Sequence, residues 1–191
     1  SYRFHAQGEV PDGMAWIPSG VFDMFLPGLD HLKPEPMAAF AMDRWEVTNR
    51  EYKSFIEAGG YTDPKYWREP FVDSGRVLTF NEAVARFTDR TGRPGPATWE
   101  VGSYPEGHEM YPVSGLSWYE AAAYAAWAGK SLPTIFHWNR VAFTVACSRI
   151  VPMSNLAGNA AVETGGTKSM NRYGVYDLAG NVREWIWNES D

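Results

Sequence analysis

The stretch PVSGLSWYEAAAYAAWAGKSLPTIFHWNRVAFTVA, residues 112–146, decides the fold because it predicts two helices joined by a tight turn. Ser117 and Glu120 have the spacing of a capping box, which satisfies free backbone N–H groups at the start of a helix. The alanine-rich run that follows favours helix, and Gly129 can take the left-handed conformation that ends one. Thr134 then caps a second apolar helix. Two short helices with so many apolar residues need a partner surface from the rest of the chain.

The composition indicates a compact chain with much irregular backbone. Its 191 residues include 9 Trp, 10 Tyr and 10 Phe, together with 18 Gly and 13 Pro. Aromatic side chains therefore supply much of the buried area, and glycine and proline supply turns. The length favours one domain. A formal net charge of −6 gives no attraction to phosphate backbones, so nucleic acid is not expected as a partner.

Targeting and membrane signals are not apparent in the sequence. No window has the length and apolarity of a membrane span, and no basic-then-apolar segment precedes the first predicted strand. We therefore expect neither a signal peptide nor a membrane partner in this chain. The localisation stays open, since a mature secreted protein would already have lost its signal. The single cysteine excludes an internal disulfide framework.

The residues before the two helices predict short strands and one further helix. Two apolar runs flank a Pro-Ser-Gly turn within residues 14–24, which indicates a hairpin, and residues 38–43 indicate another strand. Thr48 and Glu51 form a second capping box in front of an amphipathic helix that a Gly-Gly pair ends. Residues 81–87 are amphipathic over one short helical segment.

Residues 61–110 differ from the rest because their aromatics are scattered among turn-forming residues. Two interpretations are equally open. The segment is either a long surface excursion that carries specificity or an insertion packed by its own aromatics. Residues 173–187 combine turn chemistry with an alternating apolar run, which predicts a strand after the turn. A strand edge near Ile186 would invite self-association through this C-terminal end.

The catalytic inventory of the sequence is small. The four histidines are scattered, and His137 on an apolar helix is expected to be a packing residue. The Gly-Gly-Thr-Lys-Ser run at 165–169 lacks the order of a phosphate loop. Cys147 follows an apolar helix, where a thiol is usually buried and inert. We assign no catalytic residue.

One segment has the chemistry of a metal site. Asp177 and Glu184 flank a turn in which the carbonyls of Gly180 and Val182 could point the same way. Calcium takes this mixture of carboxylate and backbone oxygens. The alternative is that Asp177 caps the turn and Glu184 pairs with a nearby arginine.

Several motifs in this order resemble the formylglycine-generating enzyme (sulfatase-modifying factor) family. They are GMAWIPSG at 13–20, WEVTNREY at 45–52, PVSGLSW at 112–118, WAGKSLPT at 127–134 and the segment 173–185. The resemblance covers nearly the whole chain outside residues 61–110. It implies one α+β domain over residues 1–191, related to the C-type lectin fold and low in regular secondary structure. Residues 61–110 are then an insertion, and residues 173–187 are the closing strand region of the fold, with Trp185 buried and Trp187 beside it.

The resemblance also bears on activity. The family's enzymes oxidise a cysteine of unfolded sulfatases to formylglycine, using oxygen and copper held by two cysteines downstream of the segment matching 180–185. This chain ends before that pair, so the C-terminal part of the family fold is expected to be absent and copper is not expected in this chain. The run Ile135–Trp138 and the insertion resemble the copies attached to bacterial serine/threonine kinases.

The resemblance carries over two sets of calcium positions. Asp177, Gly180, Val182 and Glu184 match one site. Asn155 and Leu156 match part of a second.

Three hypotheses for the function follow. The first is a non-catalytic binding or sensor domain, taking a protein or peptide ligand and forming part of a larger, kinase-linked protein. The second is a fragment of an authentic formylglycine-generating oxidase acting on sulfatase cysteines. The third is a C-type-lectin-like scaffold that displays residues 61–110 to a ligand.

Overall fold

The computed structural model describes residues 10–23, 33–142, 151–156 and 158–187. Short helices and small antiparallel sheets give an α+β fold, as predicted. The helices and strands, in chain order, are β1 (Met14–Ile17), β2 (Gly20–Phe22), β3 (Glu35–Met37), β4 (Phe40–Asp43), α1 (Asn49–Glu57), β5 (Phe71–Asp73), β6 (Arg76–Leu78), α2 (Phe80–Val84), α3 (Trp118–Trp127) and α4 (Ile135–Ala142). Two 3-10 turns lie at Pro64–Tyr66 and Val151–Met153. Among the described residues, no helix is long and apolar enough to cross a membrane.

The chain divides into two compact units. Unit 1 comprises residues 1–46, 133–181 and 188–191, and unit 2 comprises residues 47–132 and 182–187. The prediction of a single domain with an insertion at 61–110 stays a prediction.

The strands of unit 1 correct the predicted hairpin of residues 14–24. β1 pairs antiparallel with β4, from Met14 opposite Asp43 to Ile17 opposite Phe40, and β2 pairs with β3. The first two strands therefore do not pair with each other. The reason is burial: Ala15 and Ile17 alternate into a core that Val141 of α4 shares, and β4 completes that surface.

The core of unit 2 is aromatic. Tyr52 and Phe55 of α1 and Ala123 of α3 are fully buried in it. Residues 61–110 contribute seven further buried side chains, namely Tyr61, Trp67, Phe71, Leu78, Ala83, Val84 and Trp99. The aromatics of this segment pack against α1 and α3 as well as against one another. Whether the segment also carries specificity stays a prediction.

The helix starts follow the capping chemistry. The predicted boxes at Thr48 and Ser117 are confirmed, with the side chain and backbone of each cap bonded reciprocally to the glutamate three residues later. Thr134 also accepts the backbone N–H of His137 at the start of α4. A third box, Thr79 with Glu82, starts α2 and was not predicted, although its Thr-x-x-Glu spacing is visible in the sequence.

The strand predicted at the end of residues 173–187 does not form as an element among the described residues. Backbone φ angles are positive at Gly174, Asp177, Gly180 and Asn181, which agrees with the predicted turn chemistry of that part. In the alternating run 182–187 only Trp187 makes a β-bridge. The side chain of Trp185 is 48% exposed, which also contradicts its predicted burial.

Candidate functional site

The segment 182–187 lies against the start of α3 within unit 2 and is tied there twice. The indole N–H of Trp185 donates to the carbonyl of Leu116 over 3.0 Å. In return, the indole N–H of Trp118 donates to the carbonyl of Ile186 over 3.1 Å. The ring of Trp118 also packs on that of Trp187, with the ring centres 5.1 Å apart. These reciprocal contacts hold the segment in one register on the helix start.

This arrangement leaves an aromatic surface at the helix start. We define the Trp185 face as Leu116, Trp118, Trp185 and Trp187. Almost half of the Trp185 side chain remains exposed although its only polar atom is hydrogen-bonded inside the protein. An amphipathic ring fixed in this way offers apolar area at little cost in conformational entropy.

Beneath the Trp185 face lies a buried carboxylate. The backbone N–H of Ser117 donates to Oε2 of Glu120 over 2.7 Å. The Tyr61 hydroxyl donates to Oε1 over 2.5 Å, and it lies 2.9 Å from the Tyr52 hydroxyl. Since Tyr61 has a single hydroxyl hydrogen, Tyr52 is the donor in the second bond. Glu120 is only 3% exposed, so this chain of three groups is sealed in the core of unit 2.

Burial dominates the acid–base behaviour of the three groups. It raises the pKa of Glu120 above its ordinary value, and the hydrogen bonds from Tyr61 and Ser117 oppose this without cancelling it. Burial also raises the pKa of both tyrosines well above the ordinary value, with Glu120 and the other phenol contributing to the rise at Tyr61. Both phenols therefore stay protonated, and Glu120 is the group that titrates.

The predicted calcium ligand Asp177 lies in unit 1 with its carboxylate already bonded. Its Oδ2 accepts the backbone N–H of Gly165 over 2.9 Å, and its Oδ1 accepts the hydroxyls of Thr167 and Ser169. The residue is 1% exposed. Three protein donors therefore engage this carboxylate, one on Oδ2 and two on Oδ1.

The structure joins residues that the sequence divided between two calcium sites. The backbone N–H of Asn181 donates to the carbonyl of Asn155 over 3.0 Å. Gly180 lies so close that a β-carbon there would meet this carbonyl oxygen at 2.8 Å and the Leu156 side chain at 2.9 Å. The side-chain amide of Asn155 donates to Asn181 and to the carbonyl of Ala160. Asn155 and Leu156 are therefore neighbours of Gly180 in unit 1.

The remaining predicted ligands, Val182 and Glu184, belong to unit 2, and both have interaction partners there or elsewhere in the chain. Among the described residues, no group of three or more histidine, cysteine, aspartate or glutamate side chains is placed to hold a metal ion. Both calcium sites stay predictions.

Two other residues considered in the sequence have different outcomes. His137 packs edge-on against Phe40, with the ring centres 4.7 Å apart, and its Nδ1 bonds the Thr134 hydroxyl. Burial lowers its pKa. It is a packing residue, as predicted. Cys147 lies outside the described residues.

The Trp185 face and its carboxylate were missed by the sequence interpretation. The Trp-Ile-Trp spacing at 185–187 is visible in the sequence, but it also fits strand alternation. Nothing local to Glu120 indicated that Tyr61, 59 residues away in the chain, would reach its carboxylate.

Comparison with known sequences identifies the class of protein. The chain matches the FGE-sulfatase family, the Sulfatase-modifying factor enzyme 1-like domain, over residues 3–191. It therefore belongs to this family.

Individual relatives carry different names. The chain is 32% identical to the formylglycine-generating enzyme of Thermomonospora curvata, over 96% of this chain and 74% of that enzyme. It is 30% identical to the serine/threonine-protein kinase pkn1 of Chlamydia pneumoniae, over 77% of this chain but 22% of the kinase. It is 28% identical to the hercynine oxygenase of Mycolicibacterium smegmatis, over 82% of this chain and 40% of that enzyme. The chain thus spans less than half the length of the last two relatives.

Proposed function

We propose that this chain is a non-catalytic peptide-recognition domain of the sulfatase-modifying-factor family, with the Trp185 face as its contact surface. One observation carries the proposal: the Trp185 ring is almost half exposed while its indole N–H is held by Leu116. Fixed, half-exposed tryptophans are typical anchors of protein interfaces, because truncating them removes a large apolar contact.

The occupant that we propose is an extended peptide that contains cysteine. The family resemblance supports this choice, since a sulfatase segment of that kind is what the family's enzymes act on. The similarity to the kinase pkn1 supports a place for such a domain in a larger, kinase-linked protein.

The absence of oxidase activity is the second part of the proposal. Copper(I) selects thiolate ligands, and this chain has one cysteine, which cannot supply a pair. The rival hypothesis is a fragment of an authentic oxidase. The similarity to the formylglycine-generating enzyme of T. curvata over 74% of its length favours this rival.

Peptide binding tests the first part. A fluorescent cysteine-containing sulfatase peptide is titrated against the wild-type chain, and anisotropy gives the dissociation constant. We expect Trp185→Ala to weaken binding at least about tenfold, the size of an interface anchor. Trp185→Phe keeps a ring but loses the bond to Leu116, so an intermediate loss is expected.

The matched control is Trp45→Ala in unit 1, where the tryptophan is 44% exposed and also packs on a tyrosine. Its affinity should equal that of the wild type. Equal losses in both alanine variants, or none in Trp185→Ala, contradict the proposal. A mass-spectrometric assay for formylglycine on the same peptide tests the second part: the chain should form none, and turnover would contradict this part. A fragment of an authentic oxidase would also lack the cysteine pair, so a cysteine pair elsewhere in the full-length protein is the observation that would favour the rival hypothesis.

A further inference from the structure

The Glu120 carboxylate occupies a position that links the core of unit 2 to the Trp185 face. Ser117, whose N–H it accepts, lies in the chain between Leu116 and Trp118. Those two residues make the hydrogen bonds that hold Trp185 and Ile186. A change in the hydrogen bond between Ser117 and the carboxylate can therefore shift the two neighbouring residues that make the anchoring bonds.

We propose that Glu120 is a proton-responsive positioning residue for the Trp185 face. The hydrogen bond that holds Trp185 is maintained while the carboxylate is ionised and weakens in mildly acidic solution. The inference deepens the proposed function and rests on it, because it assigns the regulation of the same surface.

The ionised carboxylate fits the observed contacts. Oε1 accepts a hydrogen bond from Tyr61, and Oε2 accepts one from the backbone N–H of Ser117. An ionised carboxylate only accepts hydrogen bonds, so both donors are served at once. Hydrogen bonds to a charged acceptor are also stronger than those between neutral groups.

Protonation weakens this arrangement. A proton on Oε2 makes that oxygen a weaker acceptor for the Ser117 N–H, because a hydrogen bond to a neutral carboxyl is weaker than one to a carboxylate. A proton on Oε1 that points at Tyr61 makes the Tyr61 hydroxyl an acceptor and directs its hydrogen towards Tyr52. Protonation still stabilises the folded chain relative to the unfolded one, because it removes the cost of burying a charge, and the pKa of Glu120 is raised for this reason.

Burial places the transition above the ordinary glutamate range, and no cation counteracts this within the described contacts of Glu120. The titratable groups that contact it are Tyr61 directly and Tyr52 through Tyr61. The other charged groups on the packed elements have their own contacts or are exposed. Glu51 accepts the backbone N–H of Thr48, Lys53 donates to the carbonyl of Gly102 and lies near Glu57, and Lys65 pairs with Asp63. The exposed charged residues are Arg50, Arg183 and Glu184.

The test uses nuclear magnetic resonance without any peptide. The indole N–H signal of Trp185, assigned from its loss in Trp185→Phe, is followed from roughly pH 8 to pH 4, a range that brackets a raised glutamate pKa. In the wild-type chain we expect one sigmoidal shift with a midpoint above the ordinary glutamate value. Glu120→Gln has no proton to gain, so its signal should stay constant near the acid position of the wild type.

Two further variants keep the test decisive. Glu82→Gln alters the exposed capping box of α2 and should titrate at Trp185 like the wild type. If Glu120→Gln does not fold, Tyr61→Phe replaces it. Since the Tyr61 hydrogen bond lowers the Glu120 pKa, its removal should move the midpoint to higher pH. A constant wild-type signal, or a transition that persists in Glu120→Gln, overturns the inference.

Binding of the cysteine-containing peptide separates the inference from the proposed function. We expect its affinity to fall about fivefold below the midpoint, the equivalent of one ordinary hydrogen bond. A normal transition at Trp185 with no peptide binding at any pH supports the proton response and contradicts the proposed function. Tight binding without a transition at Trp185 overturns the inference alone.

Discussion

The capping boxes of α2 and α3 have the same local structure, but the pKa values of their glutamates are shifted in opposite directions. In both, the glutamate accepts the backbone N–H of the cap, and the cap side chain accepts the backbone N–H of the glutamate. The backbone and hydroxyl donors of Thr79, with Arg76, lower the pKa of Glu82 to about 2. Burial raises that of Glu120, although Ser117 and Tyr61 also donate to it.

The difference shows that a capping box fixes geometry but not charge. Glu82 keeps contact with water and has Arg76 at 3.1 Å, so its ionised form is favoured. Glu120 lies under Tyr61, where the ionised form loses hydration and no cation compensates among the described contacts. The same three-residue spacing therefore yields a surface cap in one helix and a buried acid in the other.

The largest expected difference between the two boxes is in the free energy of unfolding when each glutamate is replaced in turn by alanine. Glu120→Ala leaves the Ser117 N–H and the Tyr61 hydroxyl buried without an acceptor, and we expect a loss of about 3 kcal/mol in the free energy of unfolding. Glu82→Ala exposes its donors to water and should cost clearly less. Urea unfolding of the two variants measures this. Equal losses would mean that burial adds nothing to the role of Glu120.

A second variant disturbs the cover over Glu120. A β-carbon at Gly60, the residue before Tyr61, would lie 2.2 Å from the Phe55 ring. We expect Gly60→Ala to cost roughly 1–3 kcal/mol through overpacking and to lower the Glu120 pKa as water reaches it. Thermal melts and the titration of Trp185 report the two effects. Adding Phe55→Leu to this variant should recover part of the stability, and no recovery would point to backbone strain instead.

The pH dependence of stability should have opposite signs for the two boxes. Because the folded-state pKa of Glu120 is raised, its stabilising contribution is complete below the unfolded pKa and is lost as the pH rises through the folded value. The contribution of Glu82 is present above the unfolded pKa and is lost as the pH falls towards about 2.

Melting temperatures of Glu120→Gln and Glu82→Gln against the wild type test these signs. The penalty of Glu120→Gln should shrink as the pH rises, and that of Glu82→Gln should shrink as the pH falls. Each kcal/mol corresponds to a shift on the order of 2–4 °C in a chain of this size. Parallel pH profiles would show that both carboxylates are ionised to the same extent.

The smallest expected effect is that of calcium on the stability of the chain, and it concerns the buried carboxylate of Asp177. Unlike Glu120, Asp177 has three donors on its carboxylate. If the predicted calcium site exists, calcium at its dissociation constant should raise the free energy of unfolding by about 0.4 kcal/mol. Melts with calcium and with chelator measure the gain, and Glu184→Gln should abolish it. Identical midpoints would leave Asp177 as a residue that only orders its loop.

The regions predicted correctly are those whose structure depends on nearby residues. The boxes at Thr48 and Ser117 need only a hydroxyl and a carboxylate three residues apart, and Gly129 follows α3 with a φ of 70°. The hairpin of residues 14–24 failed because β1 found its partner in residues 40–43. Strand pairing depends on which surface a strand must cover, and that surface is built from distant residues.

The sequence by itself determined the family, the α+β class and the starts of α1, α3 and α4, because motif spacing and capping act over a few residues. Only the tertiary structure decided that Trp185 stays exposed, that Asp177 is satisfied by hydroxyls, and that Tyr61 covers Glu120. These properties depend on solvent access and on partners far apart in the chain. Two boxes with the same spacing consequently differ in charge, since desolvation is set by what packs above a residue and not by its neighbours in sequence.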